Sequence, residues 1–268
     1  MGGVAAMAGV SVDLGTWTRA DQFRFFRTYE KPHYAVTARV DVTRLLTQRK
    51  VAGVSAYRAC LYAIGAGLHG VSELCMRFRG DAVTLYDRVD LSMTVPLADG
   101  NFRYAYVPFQ PDFAAFDAQA AALIAAMAGG GDLTANSAAR DDVAYLSAMP
   151  WLDYSSINNA LPHAQDCIPR VSWGKFVESG GRWSMAMTIE VHHALVDGRQ
   201  VGDYFAAVQG ALEGVQGTAF FKSSVDGLSV VCWRRGRGRQ VFLLGAAAHH
   251  SQVVILRWVG KRRMTTWE

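Results

Sequence analysis

The stretch Met185-Ala186-Met187-Thr188-Ile189-Glu190-Val191-His192-His193-Ala194-Leu195-Val196-Asp197-Gly198 changes its period halfway along. Residues 185–191 alternate as a strand does, whereas after Gly198 the apolar positions Val201, Tyr204, Phe205, Val208 and Leu212 recur at helical spacing. The two histidines therefore fall at a strand-to-helix turn, where side chains stand exposed on a rigid frame. Neighbouring residues on an extended end point to opposite faces, so one histidine can face a cleft while the other packs or bonds outward. Taken alone, the pattern His-His-x-x-x-Asp-Gly is suggestive only, since a histidine in an apolar run is ordinarily a core residue.

Working outward, strand and helix patterns alternate. Residues 34–42 (YAVTARVDV) predict a strand, with Thr43 placed to cap a helix whose apolar positions run through Leu45 and Leu46 to Leu68. Residues 77–85 predict a hairpin turning at Gly80-Asp81, and residues 91–95 and 102–107 predict strands separated by an Asp99-Gly100-Asn101 turn. Asp112 is placed to cap a helix with Phe113, Phe116, Ala120, Leu123, Ile124 and Met127 on one face, stopped by Gly129-Gly130-Gly131. Strands over 143–147, 171–176 and 183–191 come next, the last two joined at Ser179-Gly180-Gly181. This order implies a mixed β-sheet with helices packed against it, an α/β domain over residues 1–221.

Beyond that point the pattern changes. Residues 222–268 hold nine Lys and Arg against Asp226 and Glu268, a net of +7, while the whole chain carries only +4; the first 221 residues are thus net −3. The pI of 8.9 belongs to this extension, so the body offers no basic face for nucleic acid. Arg234-Arg235-Gly236-Arg237-Gly238-Arg239 reads as a solvated basic linker, and residues 253–256 as a short strand. An RNA-binding or membrane-surface tail is one reading, supported by Trp233, Trp258 and Trp267 among the arginines. The favoured expectation is an atypical or poorly ordered appendage without a selected role. No run approaches the ~20 apolar residues of a membrane span, and residues 1–10 lack the basic lead of a signal peptide. Four scattered cysteines (Cys60, Cys75, Cys167, Cys232), with no C-x-x-C and no histidine at ligand spacing, argue against a metal site or disulfide framework and suit a cytoplasmic protein.

The run 192–198 resembles the active-site signature shared by chloramphenicol acetyltransferases, dihydrolipoyl acyltransferase catalytic domains and peptide-synthetase condensation domains. Three further segments narrow the resemblance to the first group. Trp17-Thr18-Arg19 followed by Phe23 and Phe25-Phe26-Arg27 is similar to its W-x-R…F-x-F/Y-R segment. The run 146–156 (LSAMPWLDYSS) is similar to its S-A-x-P-W-x-x-F-x-S-F segment, and 168–176 (IPRVSWGKF) to its P-x-x-T-M-G-K-Y run. The order and near-spacings are kept across roughly residues 10–215. Condensation domains are much longer, and dihydrolipoyl enzymes carry lipoyl domains on linkers.

The resemblance implies the CoA-dependent acyltransferase fold, acetyl-CoA as co-substrate and no metal. It makes His193 the base that takes a proton from an acceptor hydroxyl, an imidazole of ordinary pKa near 6.5 being mostly neutral at pH 7. Ser147 would donate to the oxyanion of the tetrahedral intermediate. Asp197 would pair with Arg19 to hold the turn rather than complete a hydrolase triad. Ser172 stands where the family has a water-binding threonine, and Phe26 where it has a tyrosine that contacts the antibiotic; here the ring is kept and the hydroxyl lost. Val196, Arg199 and Gln200 also depart from the family's usual residues. The family's homotrimeric state implies sites between subunits, the base of one facing an acceptor pocket on the next. The expected function is thus acetyl-CoA-dependent O-acetylation of a small hydroxyl compound, with antibiotic resistance implied if the acceptor is chloramphenicol. The alternative is a non-catalytic CoA-binding trimer of the same fold, and neither reading involves nucleic acid or membrane.

Overall fold

A computed structural model describes residues 9–128 and 140–214, together with the backbone of four strands within 221–256. The chain divides into two compact units, Met1–Gln110 with Ala114–Glu213, and Pro111–Phe113 with Gly214–Glu268.

The first unit begins with β1 (Gly9–Val12), α1 (Ala20–Phe26) and β2 (His33–Asp41), followed by α2 (Ala56–His69). Strands β3 (Met76–Arg79), β4 (Ala82–Tyr86), β5 (Asp90–Pro96) and β6 (Phe102–Pro108) precede α3 (Phe113–Ala128). After it come β7 (Val143–Ala148), β8 (Arg170–Trp173), β9 (Val177–Ser179), β10 (Arg182–His192) and α4 (Gly198–Gly214). A small antiparallel sheet runs β1-β4-β3, and the main sheet runs β2-β10-β8-β7-β5-β6 with β9 on β10. Within the main sheet β5–β7 and β7–β8 are parallel and the other pairs antiparallel. This is the mixed sheet with packed helices that the alternating patterns imply.

Register explains why the sheet has two unlike faces. Because side chains alternate with period two, one row across the strands reads Ala105–Met93–Leu146–Val171–Ile189–Val36. The neighbouring row, one residue along, reads Ser147–Ser172–Thr188–Thr37 from β7 to β2. Helices cover the apolar face: Tyr57 of α2 and Tyr204 of α4 point their hydroxyls at the sulfurs of Met93 and Met187, at 3.4 and 3.5 Å. Gly67 lets α2 and α4 approach closely, since a Cβ there would lie 2.6 Å from Val208. The polar face beneath β8 and β10 is covered instead by the segment 149–169.

Most sequence-derived elements appear within a residue or two of their expected ends, including the hairpin at Gly80, whose φ is +56°. The single helix expected from Thr43 to Leu68 is instead broken. Thr43 spends its hydroxyl on the sheet, accepting from the Trp183 N–H at 2.8 Å, and Leu45–Arg49 forms a π-helical turn. Gly53, with φ +89°, then redirects the chain and Ser55 caps α2 by accepting from the Arg58 N–H at 3.3 Å. On α3 only Phe116 and Ala120 are fully buried, Phe116 packing on Tyr62 and Phe109, while Leu123, Ile124 and Met127 are half-buried. The Gly129-Gly130-Gly131 stop lies outside the described residues.

In the second unit β11 (Phe221–Val225), β12 (Leu228–Arg235), β13 (Gly238–Leu244) and β14 (Val254–Leu256) form an antiparallel sheet in sequence order. The Arg234-to-Arg239 run expected as a linker lies at the β12–β13 hairpin, where Arg234 pairs with Arg239 and Arg235 with Gly238. Apolar residues flanking the run carry enough strand preference to draw it into the ladder.

Candidate active site

Strand β10 delivers the histidine pair to one end of the sheet, where its ladder with β2 closes on His192–His33. His192 is 2% exposed; its Nε2–H donates to the Ala164 carbonyl at 3.0 Å and its Nδ1 accepts from the Ala194 N–H at 3.1 Å. Burial, with His33 adjacent, pushes its pKa down to about 4, so the ring is a neutral clamp between the turn and the segment 149–169.

His193 turns to the other side. Its N–H donates to the Pro32 carbonyl at 2.9 Å, and its ring stacks on Phe26 with centroids 3.8 Å apart and planes 7° apart. Tyr34 flanks it at 4.7 Å. Nδ1 is buried without a hydrogen-bond partner. The ring as a whole is half-exposed, and its Nε2 makes no hydrogen bond among the described residues. Phe26, expected to meet an acceptor, also fixes the plane of this imidazole.

The turn after His193 is fastened from α1. Arg19 Nη1 donates to Asp197 Oδ2, and Arg19 Nε donates to the Leu195 carbonyl at 3.2 Å. Asp197 Oδ1 accepts from the Arg199 N–H at 3.0 Å, which makes the carboxylate the N-cap of α4 as well. Burial opposes this carboxylate, but Arg19 and the Arg199 N–H outweigh it and hold its pKa below the ordinary value. Burial and then Asp197 push the Tyr34 phenol up to about 12, and its hydroxyl reaches the Val196 carbonyl at 3.4 Å. Gln200, at the third residue beyond, accepts from the Asp197 N–H at 3.1 Å.

Ser147 and Ser172 lie elsewhere, side by side in the parallel β7–β8 register. Ser172 is 2% exposed and its carbonyl accepts from the Tyr154 hydroxyl at 2.8 Å. Thr188 and Thr37 continue the row, their hydroxyls 2.7 Å apart. From Thr188 four residues run along β10 to His192 and one step into the turn reaches His193, and from β10 to β7 is two strands, so the backbones at His193 and Ser147 of one chain stand roughly 19 Å apart. The structure therefore gathers Arg19, Phe26, His193 and Asp197 at one place and Ser147 with Ser172 at another. Tyr34, Tyr154 and Thr188 were missed from sequence; only the alternation of hydroxyl residues along the strands hinted at the last. Cys60, Cys75 and Cys167 are free and buried, which pushes the first two thiols up to about 12 and raises the third, so none is a nucleophile at neutral pH.

A mixed sheet with packed helices and a histidine pair at a strand-to-helix turn is the architecture these residues build. The sequence profile of the chloramphenicol acetyltransferase family matches residues 7–209. Chloramphenicol acetyltransferase 3 of Escherichia coli is 23% identical over 199 residues, 74% of this chain and 93% of that protein. The chloramphenicol acetyltransferase of Streptomyces acrimycini is 25% identical over 191 residues, covering 70% and 86% respectively. A solved chloramphenicol acetyltransferase superposes with a TM-score of 0.72 at 26% identity, over 76% of this chain and 100% of that one. A dihydrolipoamide acetyltransferase of Azotobacter vinelandii, at 15% identity and TM-score 0.53 over 74% and 87%, shares the fold. The chain belongs to the chloramphenicol acetyltransferase family and is an acyltransferase. Among the described residues no helix is long and apolar enough to cross a membrane.

Proposed function

We propose that the chain transfers acetyl from acetyl-CoA to a hydroxyl of a small molecule, directly and without an acyl-enzyme, with His193 as general base. The acceptor oxygen attacks the thioester carbonyl carbon while Nε2 takes its proton. Ser147 donates to the resulting oxyanion, a contact whose loss in comparable sites costs about 10²–10³ in kcat. Collapse breaks the carbon–sulfur bond, and the departing CoA thiolate recovers the proton from the imidazolium. The products are an acetyl ester and free CoA thiol.

The observation that carries this reading is the half-exposed imidazole of His193, stacked on Phe26 and borne on a turn fastened through Arg19 and Asp197. Asp197 faces Arg19 and not the Nδ1 of His193, so it supports the turn rather than polarising the base. A homotrimer suits the same geometry: roughly 19 Å between His193 and Ser147 in one chain is bridged when the base of one subunit faces the serine row of the next. Chloramphenicol is one acceptor of the expected chemistry; with it, the activity would confer antibiotic resistance. The domain of transfer is residues 1–221 and the extension 222–268 is dispensable for it, so truncation should leave activity intact.

The test monitors thiol release from acetyl-CoA across a panel of hydroxyl acceptors. His193→Ala is expected to lower kcat by about 10²–10⁴. Turnover insensitive to that substitution would overturn the assignment of the base.

A further inference from the structure

The hydroxyl row on the polar face continues past Ser147 toward the free edge of the sheet. Carrying the β5–β7 register one residue beyond Met93–Leu146 sets Thr94 beside Ser147, and Thr94 pairs with Tyr104 on β6. All six strands of the main path thus contribute a hydroxyl to one row: Tyr104, Thr94, Ser147, Ser172, Thr188 and Thr37. Its two ends differ. Thr37 and Thr188 bond to each other and lie toward Tyr154. Tyr104, Thr94 and Ser147 are half-exposed and their hydroxyls make no hydrogen bond among the described residues.

The adjoining row on this face, two residues along, reads Tyr106–Ser92–Tyr145–Arg170. Its aromatic rings are held by cations: Arg140 lies 5.9 Å from the Tyr106 centroid and Arg170 5.2 Å from that of Tyr145. Phe102 meets the Tyr104 ring edge-on at 5.6 Å, so that ring too is held in place. Together they form a strip running out from Ser147 across strands roughly 5 Å apart. Each hydroxyl both donates and accepts, so the strip suits a ligand that offers several such groups. An apolar acceptor would strand them without partners, at a cost in affinity.

We propose that Tyr104 and Thr94 are specificity-determining residues that read the non-reacting hydroxyls of the acceptor, and that the acceptor is a carbohydrate-like polyol. The inference rests on the proposed transferase activity, because it needs the reacting carbon to sit at Ser147. A sugar ring whose reacting hydroxyl attacks the carbonyl held at Ser147 extends its other hydroxyls over Thr94 and Tyr104. A monohydric aromatic alcohol leaves both unused.

The test compares kcat/KM of the full chain for methyl glucoside and sorbitol with that for benzyl alcohol and chloramphenicol. It is repeated with Tyr104→Phe and with Tyr104→Phe/Thr94→Val, substitutions at half-exposed positions that keep side-chain volume. The expected result is a preference for the polyols that falls about threefold in the single variant and about tenfold in the double. Preference for benzyl alcohol or chloramphenicol, or a polyol preference that both variants leave alone, would overturn this inference while leaving His193 as base. A changed sedimentation mass in the variants with no change in preference would also overturn it, by making the strip a contact between copies of this chain. If no acceptor supports thiol release, and even slow hydrolysis of acetyl-CoA is indifferent to His193→Ala, the transferase reading falls with it.

Discussion

Two inactive variants, His193→Ala and Ser147→Ala, should restore activity to one another when unfolded together and refolded as mixed assemblies. The strand register puts the two residues roughly 19 Å apart in a single chain. An acceptor oxygen in hydrogen-bond reach of Nε2, attacking a thioester carbonyl whose developing oxyanion is in reach of the Ser147 hydroxyl, requires the two side chains within roughly 6 Å. If they come from neighbouring subunits, a site is intact whenever its histidine derives from a Ser147→Ala chain and its serine from a His193→Ala chain. With equal inputs and random assembly each condition holds half the time, so about a quarter of the sites are wild type in a closed heterologous ring. The assay is thiol release from acetyl-CoA by each variant alone and by the co-refolded mixture, with the separately refolded variants mixed afterwards as the control. Recovery to about 25% of wild type is expected from the co-refolded sample only, by the same subunit statistics. A co-refolded sample no more active than the sum of its parents would refute the shared site.

Asp197→Ala leaves the Arg19 guanidinium, whose side chain is only 10% exposed, without its charge partner. The expected loss is about 1–3 kcal/mol in urea unfolding, with kcat falling more than KM changes because His193 loses its turn. Asp197→Asn, which keeps one acceptor oxygen and the side-chain shape, should recover part of each. Gly67→Ala places a methyl 2.6 Å from Val208 and 2.8 Å from Tyr204, so overpacking of about 1–3 kcal/mol should outweigh the gain in helix preference; calorimetry would register a lower Tm. His69 and His192 are both pushed down to about 4, chiefly by burial. Unfolded, each titrates near 6.5, so between about pH 4 and 6.5 the unfolded chain binds more protons. Stability is then full above about pH 6.5 and declines below it by up to about 1.4 kcal/mol per pH unit for each histidine. Urea midpoints at pH 7.5 and 5.0 should differ accordingly, and the difference should shrink in His69→Gln.

The strands and the last helix were legible because their apolar periods are strong and punctuated by Gly80, Gly100 and Gly180, all with φ between +56° and +83°. The break before α2 was not, since the apolar positions on either side of Gly53 keep a helical spacing and only the pairing of Thr43 with Trp183 shows that the chain stays tied to the sheet. At the site, the sequence singled out His193, Arg19, Asp197, Ser147, Ser172 and Phe26, and the resemblance implied the Arg19–Asp197 pair and sites between subunits; how far Ser147 and Ser172 stand from His193 within one chain it could not give.

Local chemistry is what a sequence carries on its face. A strand giving way to a helix at His192-His193, an aspartate just ahead of that helix, and hydroxyls at alternate positions are all properties of neighbouring residues. They determined the kind of sheet, the turn that bears the histidine pair, and the family to which the chain belongs. Distance between remote residues is set by register, and register is decided by the packing of whole faces, where a slip of one residue would turn the apolar row to the polar side. Only the tertiary structure could therefore lay the ring of Phe26 flat on His193, join Arg19 to the Leu195 carbonyl as well as to the Asp197 that the resemblance had assigned it, and set Ser147 in a row of hydroxyls far from the His193 of its own chain.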